Sequence, residues 1–338
     1  GKFVGAGGEI MMETEATEFK LEDGRVIGAL ATDANGNTLD INAQTTLLAS
    51  GGFGNNPDML SEALSVALFY GASASTGEGI QMAEQAGAKL VFMDYAKMYP
   101  QGIEVSPGSA RVATVHSMMT TQETGAIYVN KEGKRVINEN LDFVSIKEKT
   151  KEQTDNILFL VMDQEAYDKW SVLAHGDENS SAAGRFTLEE QETWFNTPGG
   201  VPIFRRGDNL EEVAAEAGID GAALMETIDR WNQDVAAGND SEFGRTQLFD
   251  LATDGTYYFI EQKLRFATTL GGVSLTENFE VKDMQDQPIP GLYAAGECVG
   301  GVHGEESMPT CMLSWAVTSG KLAGEEIALT LAEDSAAA

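Results

Sequence analysis

Basic residues are scarce in this 338-residue chain: 22 Lys and Arg stand against 53 Asp and Glu, a formal charge of -31. Such a surface repels phosphate backbones and anionic lipid, which argues against nucleic acid or an anionic membrane face as a partner. Cysteine is reduced to Cys298 and Cys311, so no disulfide framework is expected, and no Cys-x-x-Cys occurs. Three histidines, His116, His175 and His303, leave little room for a His-rich centre, and no metal site is expected. No apolar run approaches the roughly 20 residues that span a bilayer. The chain starts at Gly1 rather than Met and has no basic-then-apolar leader, so its compartment stays open and its first segment is expected to lie upstream. What is there is ordinary globular composition, 42% apolar and 22% charged, at a length that suggests two domains.

The first fifty residues read as a β-meander. Glu9–Leu21, Arg25–Thr32 and Thr38–Leu48 are the strands, joined at Asp23-Gly24 and Asn35-Gly36. Both dipeptides tolerate positive φ and are strong hairpin signals. The third strand runs into Ser50-Gly51-Gly52-Phe53-Gly54. A glycine turn after a buried strand lets a ligand approach the backbone, although a plain tight turn reads equally well. A helix over Gln81–Ala88 and a strand over Lys89–Phe92 follow, in α/β alternation. From Met93 to Phe266 the character changes to loops, a hairpin around Lys131–Lys134, and two helices within Asp208–Asn232, as in an inserted α+β domain. The end returns to α/β grammar. A strand, Gly291–Ala295, leads to Gly296-Glu297 and a glycine loop, Gly300–Gly304. A long helix follows, with Pro309 at its first turn and Gly320 and Gly324 on an apolar face suited to close packing on a sheet.

Five blocks occur in order: "LLASGGFG" (47–54), "TGEG" (76–79), "GAIYVNKEGKRVIN" (125–138), "GLYAAGECVGGVHG" (291–304) and "GKLAG" (320–324). In these the chain resembles the fumarate reductase/succinate dehydrogenase flavoprotein superfamily. Its soluble branch includes flavocytochrome c, urocanate reductase and 3-ketosteroid dehydrogenases. The resemblance implies an α/β, FAD-binding (glutathione-reductase-like) domain in two segments, truncated at the N-terminus, with an inserted α+β capping domain. The segments map to 1–92 and 268–338 for the flavin domain and 93–267 for the cap. The Gly-x-Gly-x-x-Gly turn that cradles the FAD pyrophosphate in such folds is not matched, because no apolar strand precedes the glycines near Gly5–Gly8.

The resemblance also implies FAD, bound non-covalently, as cofactor. It places Glu297 at the ribityl chain and Thr268 where a flavin-contacting histidine stands. Met312 and Leu313 fall at the isoalloxazine, and Ser50, Gly51, Gly52 and Glu78 among the remaining flavin or adenosine contacts. The positive end of the last helix would face the reduced ring. The family's substrate arginines and histidines are replaced. The carboxylate clamp reads Ser307, flanked by Glu305 and Glu306, and the cap proton donor falls near Phe143. The cap histidine reads Tyr99, and the second histidine falls near Ala267. A buried dicarboxylate needs cationic partners. The expectation is therefore an oxidoreductase that reduces or desaturates a C–C bond of a non-dicarboxylate substrate, enone-, quinone- or aromatic-acid-like, by hydride transfer through flavin N5. Catalytic candidates are Tyr99, His303 and Arg111, and substrate candidates are Ser307, Cys311 and Tyr257. The plainer readings are a core tyrosine for Tyr99 or Tyr257, a loop residue for His303, a surface arginine for Arg111 and a packing thiol for Cys311. The electron donor is unknown. The rival readings are a non-catalytic remnant acting as a binding module, and a fumarate-reductase-like enzyme with relocated catalytic groups.

Overall fold

The computed structural model describes residues 2–112, 114–175, 186–197, 199–308 and 310–337. The chain divides into two compact units. One comprises Gly1–Leu64, Gly71–Lys97 and Thr268–Ala338; the other comprises Ser65–Tyr70 and Met98–Ala267.

The first unit opens on the meander. Strands Glu15–Glu22, Arg25–Thr32 and Thr38–Asn42 pair antiparallel in sequence order. Asp23 and Gly24 both take positive φ, as the hairpin signal requires. The expected third strand does not run through to Leu48. Its last part, Thr46–Leu48, leaves the meander and pairs parallel with Pro288–Ala294, Leu47 lying opposite Tyr293. Backbone groups some 245 residues apart in sequence satisfy each other there, a choice that local alternation does not reveal. Helix Glu78–Gln85 starts and ends earlier than its periodicity suggested and buries Ile80, Met82 and Ala83. The last helix runs from Cys311 to Ala337. Trp315 Nε1 donates to the Gly296 carbonyl (3.0 Å), and Gly296 N donates to Ser319 Oγ (3.0 Å). These bonds, with buried Ala323, turn one side of the helix inward. The two glycines expected to pack close do not. A Cβ added to Gly320 or Gly324 would meet nothing within 4 Å, and Leu313 and Val317 are about 70% exposed (71% and 68%). Pro309 lies outside the described residues.

The second unit is built on a seven-stranded sheet. Its order is Leu68–Phe69, Ser109–Val112, Ala96–Ser106, Tyr257–Thr269, Ile157–Met162 and Ile127–Val129, with Phe204–Gly207 also on Tyr257–Thr269. Ile157–Met162 is buried throughout, because both faces of the sheet are covered. Leu158, Leu160 and Met162 point into a core with Tyr167, Trp170, Phe195 and Phe204. Ile157, Phe159 and Val161 point into the other, with Leu224, Ile228 and Trp231. The two expected helices are Leu210–Ala217 and Gly221–Ala237. Asn209 caps the first by accepting from Glu211 N and Glu212 N, and Asp220 caps the second by accepting from Ala223 N. Gly218 closes the first in the left-handed conformation.

The hairpin around Lys131–Lys134 forms as a tight turn, but Arg135–Ile137 makes only a single bridge, Arg135 to Val129. Arg135 is held by charge instead. Its guanidinium meets Glu139 (2.9 Å) and Asp240 (3.1 Å), lies 4.3 Å from the Trp231 ring centroid, and is wholly buried. Arg245 completes the group, donating to the carbonyls of Ala126, Thr124 and Thr121 and lying 3.5 Å from Glu139. Two arginines and two carboxylates thus neutralise each other away from water, the condition under which buried charge is tolerated.

Candidate cofactor and active site

The glycine turn after Thr46–Leu48 is shaped around one carboxylate. Gly51 takes φ +82, and a Cβ built on Gly52 would lie 2.3 Å from Glu297 Oε1 and 2.4 Å from Thr269 Oγ1. A Cβ at Gly52 would therefore force the ends of the Glu297 and Thr269 side chains to shift. Glu297 follows the strand Pro288–Ala294 and accepts from Thr269 N (3.0 Å) and more weakly from Thr269 Oγ1 (3.4 Å). Burial pushes its carboxyl above the usual range, and the bonds from Thr269 and the Gly52 backbone only partly oppose that. Beside it lies a cavity of about 250 Å³, lined by Thr268, Glu297, His303, Met312, Leu313 and Trp315 among others. The tertiary structure therefore gathers four cofactor candidates and one catalytic candidate around one space. Burial pushes the His303 imidazole down, which favours its neutral form. Ser50 and Glu78 line a second cavity, of about 630 Å³, with apolar neighbours such as Phe19, Leu48 and Met82. Glu78 is exposed and accepts a hydrogen bond from Thr76 Oγ1.

The loop between His303 and the last helix carries Ser307, flanked by Glu305 and Glu306. Ser307 is buried, and its hydroxyl donates to the Met308 carbonyl (3.2 Å). The two flanking acids are engaged. Glu305 hydrogen-bonds the Tyr95 phenol and raises its pKa. Glu306 Oε1 accepts from Ser307 N (3.0 Å) and pairs with Lys97, which is buried. Lys97 escaped the sequence reading, although a lysine between Tyr95 and Tyr99 in a mostly apolar stretch was a signal that it must be paired. Cys311 is half-buried at the start of the last helix. Cys298 is wholly buried, and burial pushes its thiol up to about 11.

In the other unit, Tyr99 is half-buried, edge-on to Phe143 with ring centroids 6.3 Å apart. The Arg265 guanidinium lies 4.8 Å from the Tyr99 ring centroid and 4.6 Å from that of Tyr70, so it is stacked with both rings. Arg265 is a second residue the sequence reading missed. Arg111 makes an ion pair with Glu190 (2.9 Å) on a half-exposed surface. Tyr257 is buried in the core with Trp231 and Ile228, and burial raises its phenol pKa. The His116 side chain lies outside the described residues. Among the described residues no group of three or more His, Cys, Asp or Glu could hold a metal, and no helix is long and apolar enough to cross a membrane.

A family profile described as FAD binding domain matches residues 2–313. The chain belongs to the fumarate reductase/succinate dehydrogenase flavoprotein superfamily. FAD is the cofactor of this family. The chain is 31% identical over 324 residues to a fumarate reductase (cytochrome) of Shewanella frigidimarina, covering 95% of this chain and 52% of that protein. It is 30% identical over 336 residues to a urocanate reductase of Eggerthella lenta, covering 95% and 50%. Among solved structures, the open conformation of a flavocytochrome c3 fumarate reductase matches with a TM-score of 0.72 and 25% identity, covering 96% of this chain and 53% of that one. The chain thus has a mixed α/β FAD-binding fold similar to that flavoprotein and spans about half the length of these relatives. The residues present suit FAD. The Gly52–Thr269–Glu297 cradle leaves no room for a Cβ, so backbone and carboxylate are presented together, as hydroxyl-bearing ligands require.

Proposed function

We propose that the whole protein is an FAD-dependent oxidoreductase that reduces or desaturates a C–C bond of a non-dicarboxylate substrate. In this reading residues 1–92 and 268–338 serve the flavin, and residues 93–267 form the inserted cap that carries substrate-binding groups. The observation that carries it is the cavity beside Gly52, Thr269 and Glu297, lined also by Thr268, His303, Met312 and Leu313. By the resemblance, the arginines that would hold a dicarboxylate are replaced at Ser307 and near Phe143, which supports a less charged substrate.

When bound, FAD supplies the hydride exchange. Glu297 would accept hydrogen bonds from its hydroxyls, and Thr268, Met312 and Leu313 would help to hold it. The N-terminus of Cys311–Ala337 would favour negative charge on a group held there. Tyr99, in the other unit, is the candidate proton donor. The Arg265 cation against the Tyr99 ring stabilises the phenolate left behind. The neutral His303 imidazole can carry a proton on the flavin side.

The test is the full-length protein purified with its flavin. It should be yellow and release FAD on denaturation, and its reduced form should be reoxidised anaerobically by an enone, a quinone or a cinnamate-like acid. Tyr99→Phe should slow that reoxidation by 10²–10⁴-fold, the usual weight of a general acid, with flavin content unchanged. A colourless protein that cannot be reconstituted refutes the flavin reading, and unchanged rates dismiss Tyr99.

A further inference from the structure

A further cavity, of about 530 Å³, lies wholly within the second unit and shares no residue with the two described above. Its apolar lining comes from Leu210 at the start of one helix, Met225 and Ile228 on the next, and Tyr257 at the start of the strand Tyr257–Thr269. Three carboxylates, Asp208, Glu211 and Asp229, line it as well, and no basic residue does. The carboxylates are exposed whereas Ile228 and Tyr257 are buried, so acid stands at the mouth and apolar surface below it.

Tyr257 is what marks the cavity as a site. The residue is only 6% exposed, yet its hydroxyl makes no hydrogen bond to any described residue. Buried polar groups nearly always find a partner, and leaving one without is costly. The cavity is the space in which that partner would stand. Burial and the charges of Asp254 and Asp163 raise the phenol pKa, so the group stays neutral and its oxygen can accept. The side chains of Asp229 and Glu211 are likewise unpaired among the described residues, while Asp208 accepts from Thr256 Oγ1 (2.7 Å). The carboxylates do not converge, since no group of three or more His, Cys, Asp or Glu among the described residues could hold a metal. The helix start at Leu210 would favour an anion, but Asn209 already accepts from Glu211 N (3.1 Å) and Glu212 N (3.3 Å), and the acidic mouth repels one.

We infer that this cavity binds an organic ammonium ion carried on an apolar body. The ammonium donates to Tyr257 Oη and is neutralised by Asp229 and Glu211, and the body packs against Leu210, Met225 and Ile228. A mostly apolar cavity with a few polar groups is the usual form of a small-molecule site. The site does not depend on the flavin chemistry proposed above.

The probe is 2-phenylethylammonium, titrated into the chain while the Met225 methyl resonance is followed by NMR. The resonance should move saturably. The neutral and anionic counterparts, 2-phenylethanol and 3-phenylpropionate, should not saturate over the same range. The chain's charge of -31 attracts any cation, so the variants carry the test. Tyr257→Phe should weaken binding about fivefold, the weight of one net hydrogen bond. It should leave the melting temperature of the unliganded chain unchanged or higher, because no internal partner is lost. Asp229→Asn should weaken binding roughly threefold and reduce its salt dependence. Absence of a saturable shift, equal affinity for the anion, or unweakened binding in Tyr257→Phe overturns the inference. A marked loss of stability in unliganded Tyr257→Phe overturns it too, because the hydroxyl would then have a partner within the chain.

Discussion

Removing the Asp240 carboxylate should unlatch the second unit. Asp240 accepts two hydrogen bonds from Arg135 (3.1 Å each) and one each from the backbone N–H groups of Glu242 (3.2 Å), Phe243 (3.3 Å) and Arg245 (2.9 Å). Its side chain is fully buried, as is that of Arg135. Asp240→Ala leaves Arg135 with Glu139, which is already shared with Arg245. Breaking one partner out of a buried pair costs about 3–5 kcal/mol. For a domain of this size that is a fall in melting temperature of roughly 10 °C. Asp240→Asn keeps one acceptor oxygen but loses the charge and sets an amide NH2 against N–H donors, and should fall between Ala and wild type. Lys321→Met, breaking the exposed Lys321–Glu325 pair, is the control and should change stability by under about 0.5 kcal/mol. The same carboxylate sets a pH dependence. Burial pushes it up, but the Arg135 bonds and the backbone donors outweigh that, taking its pKa from 3.8 down to about 2. A depressed carboxyl contributes stability that is present above pH 3.8 and lost as pH falls towards 2. Asp240→Asn should therefore flatten the acid limb of stability between those values. Calorimetric melting at pH 7 and across the acid limb reads both effects. Shifts no larger than the Lys321→Met control, or an unchanged acid limb, would refute the reasoning.

Gly52→Ala should weaken FAD binding in the full-length protein by about tenfold or more. Its Cβ would lie 2.3 Å from Glu297 Oε1, so the cradle must open; flavin absorbance after gel filtration, with circular dichroism to show retained folding, checks this. The two thiols should react very differently at pH 8. Cys311 is half-buried and should react with a disulfide reagent in the native chain, whereas Cys298, wholly buried with its pKa pushed up to about 11, should react only on unfolding. Two equivalents released from the folded chain would count against the burial of Cys298.

The Asp23-Gly24 hairpin and the presence of two helices within Asp208–Asn232 were readable, because each depends on residues within a few positions of one another. The break after Asn42 was not readable. Thr46–Leu48 finds its partner in Leu292–Ala294, and nothing in the local alternation distinguishes a meander strand from a parallel one. The outward face of the last helix was hidden for a similar reason. An apolar stripe predicts contact, whereas Trp315 and Ser319 reaching Gly296 decide which side makes it.

For the site, the sequence by itself determined the family resemblance, the glycine turn and the candidacy of Glu297, since those rest on ordered motifs. The resemblance put Ser307, flanked by Glu305 and Glu306, at the carboxylate-clamp position, and the sequence named no partner for either acid. Only the tertiary structure brought Lys97 across 209 positions to Glu306, and Arg265 onto the faces of Tyr70 and Tyr99. Motifs record what a backbone must do locally, whereas a buried charge records its partner only in space. The acidic surplus was therefore legible from composition, and its neutralisation at Lys97 was decided by folding.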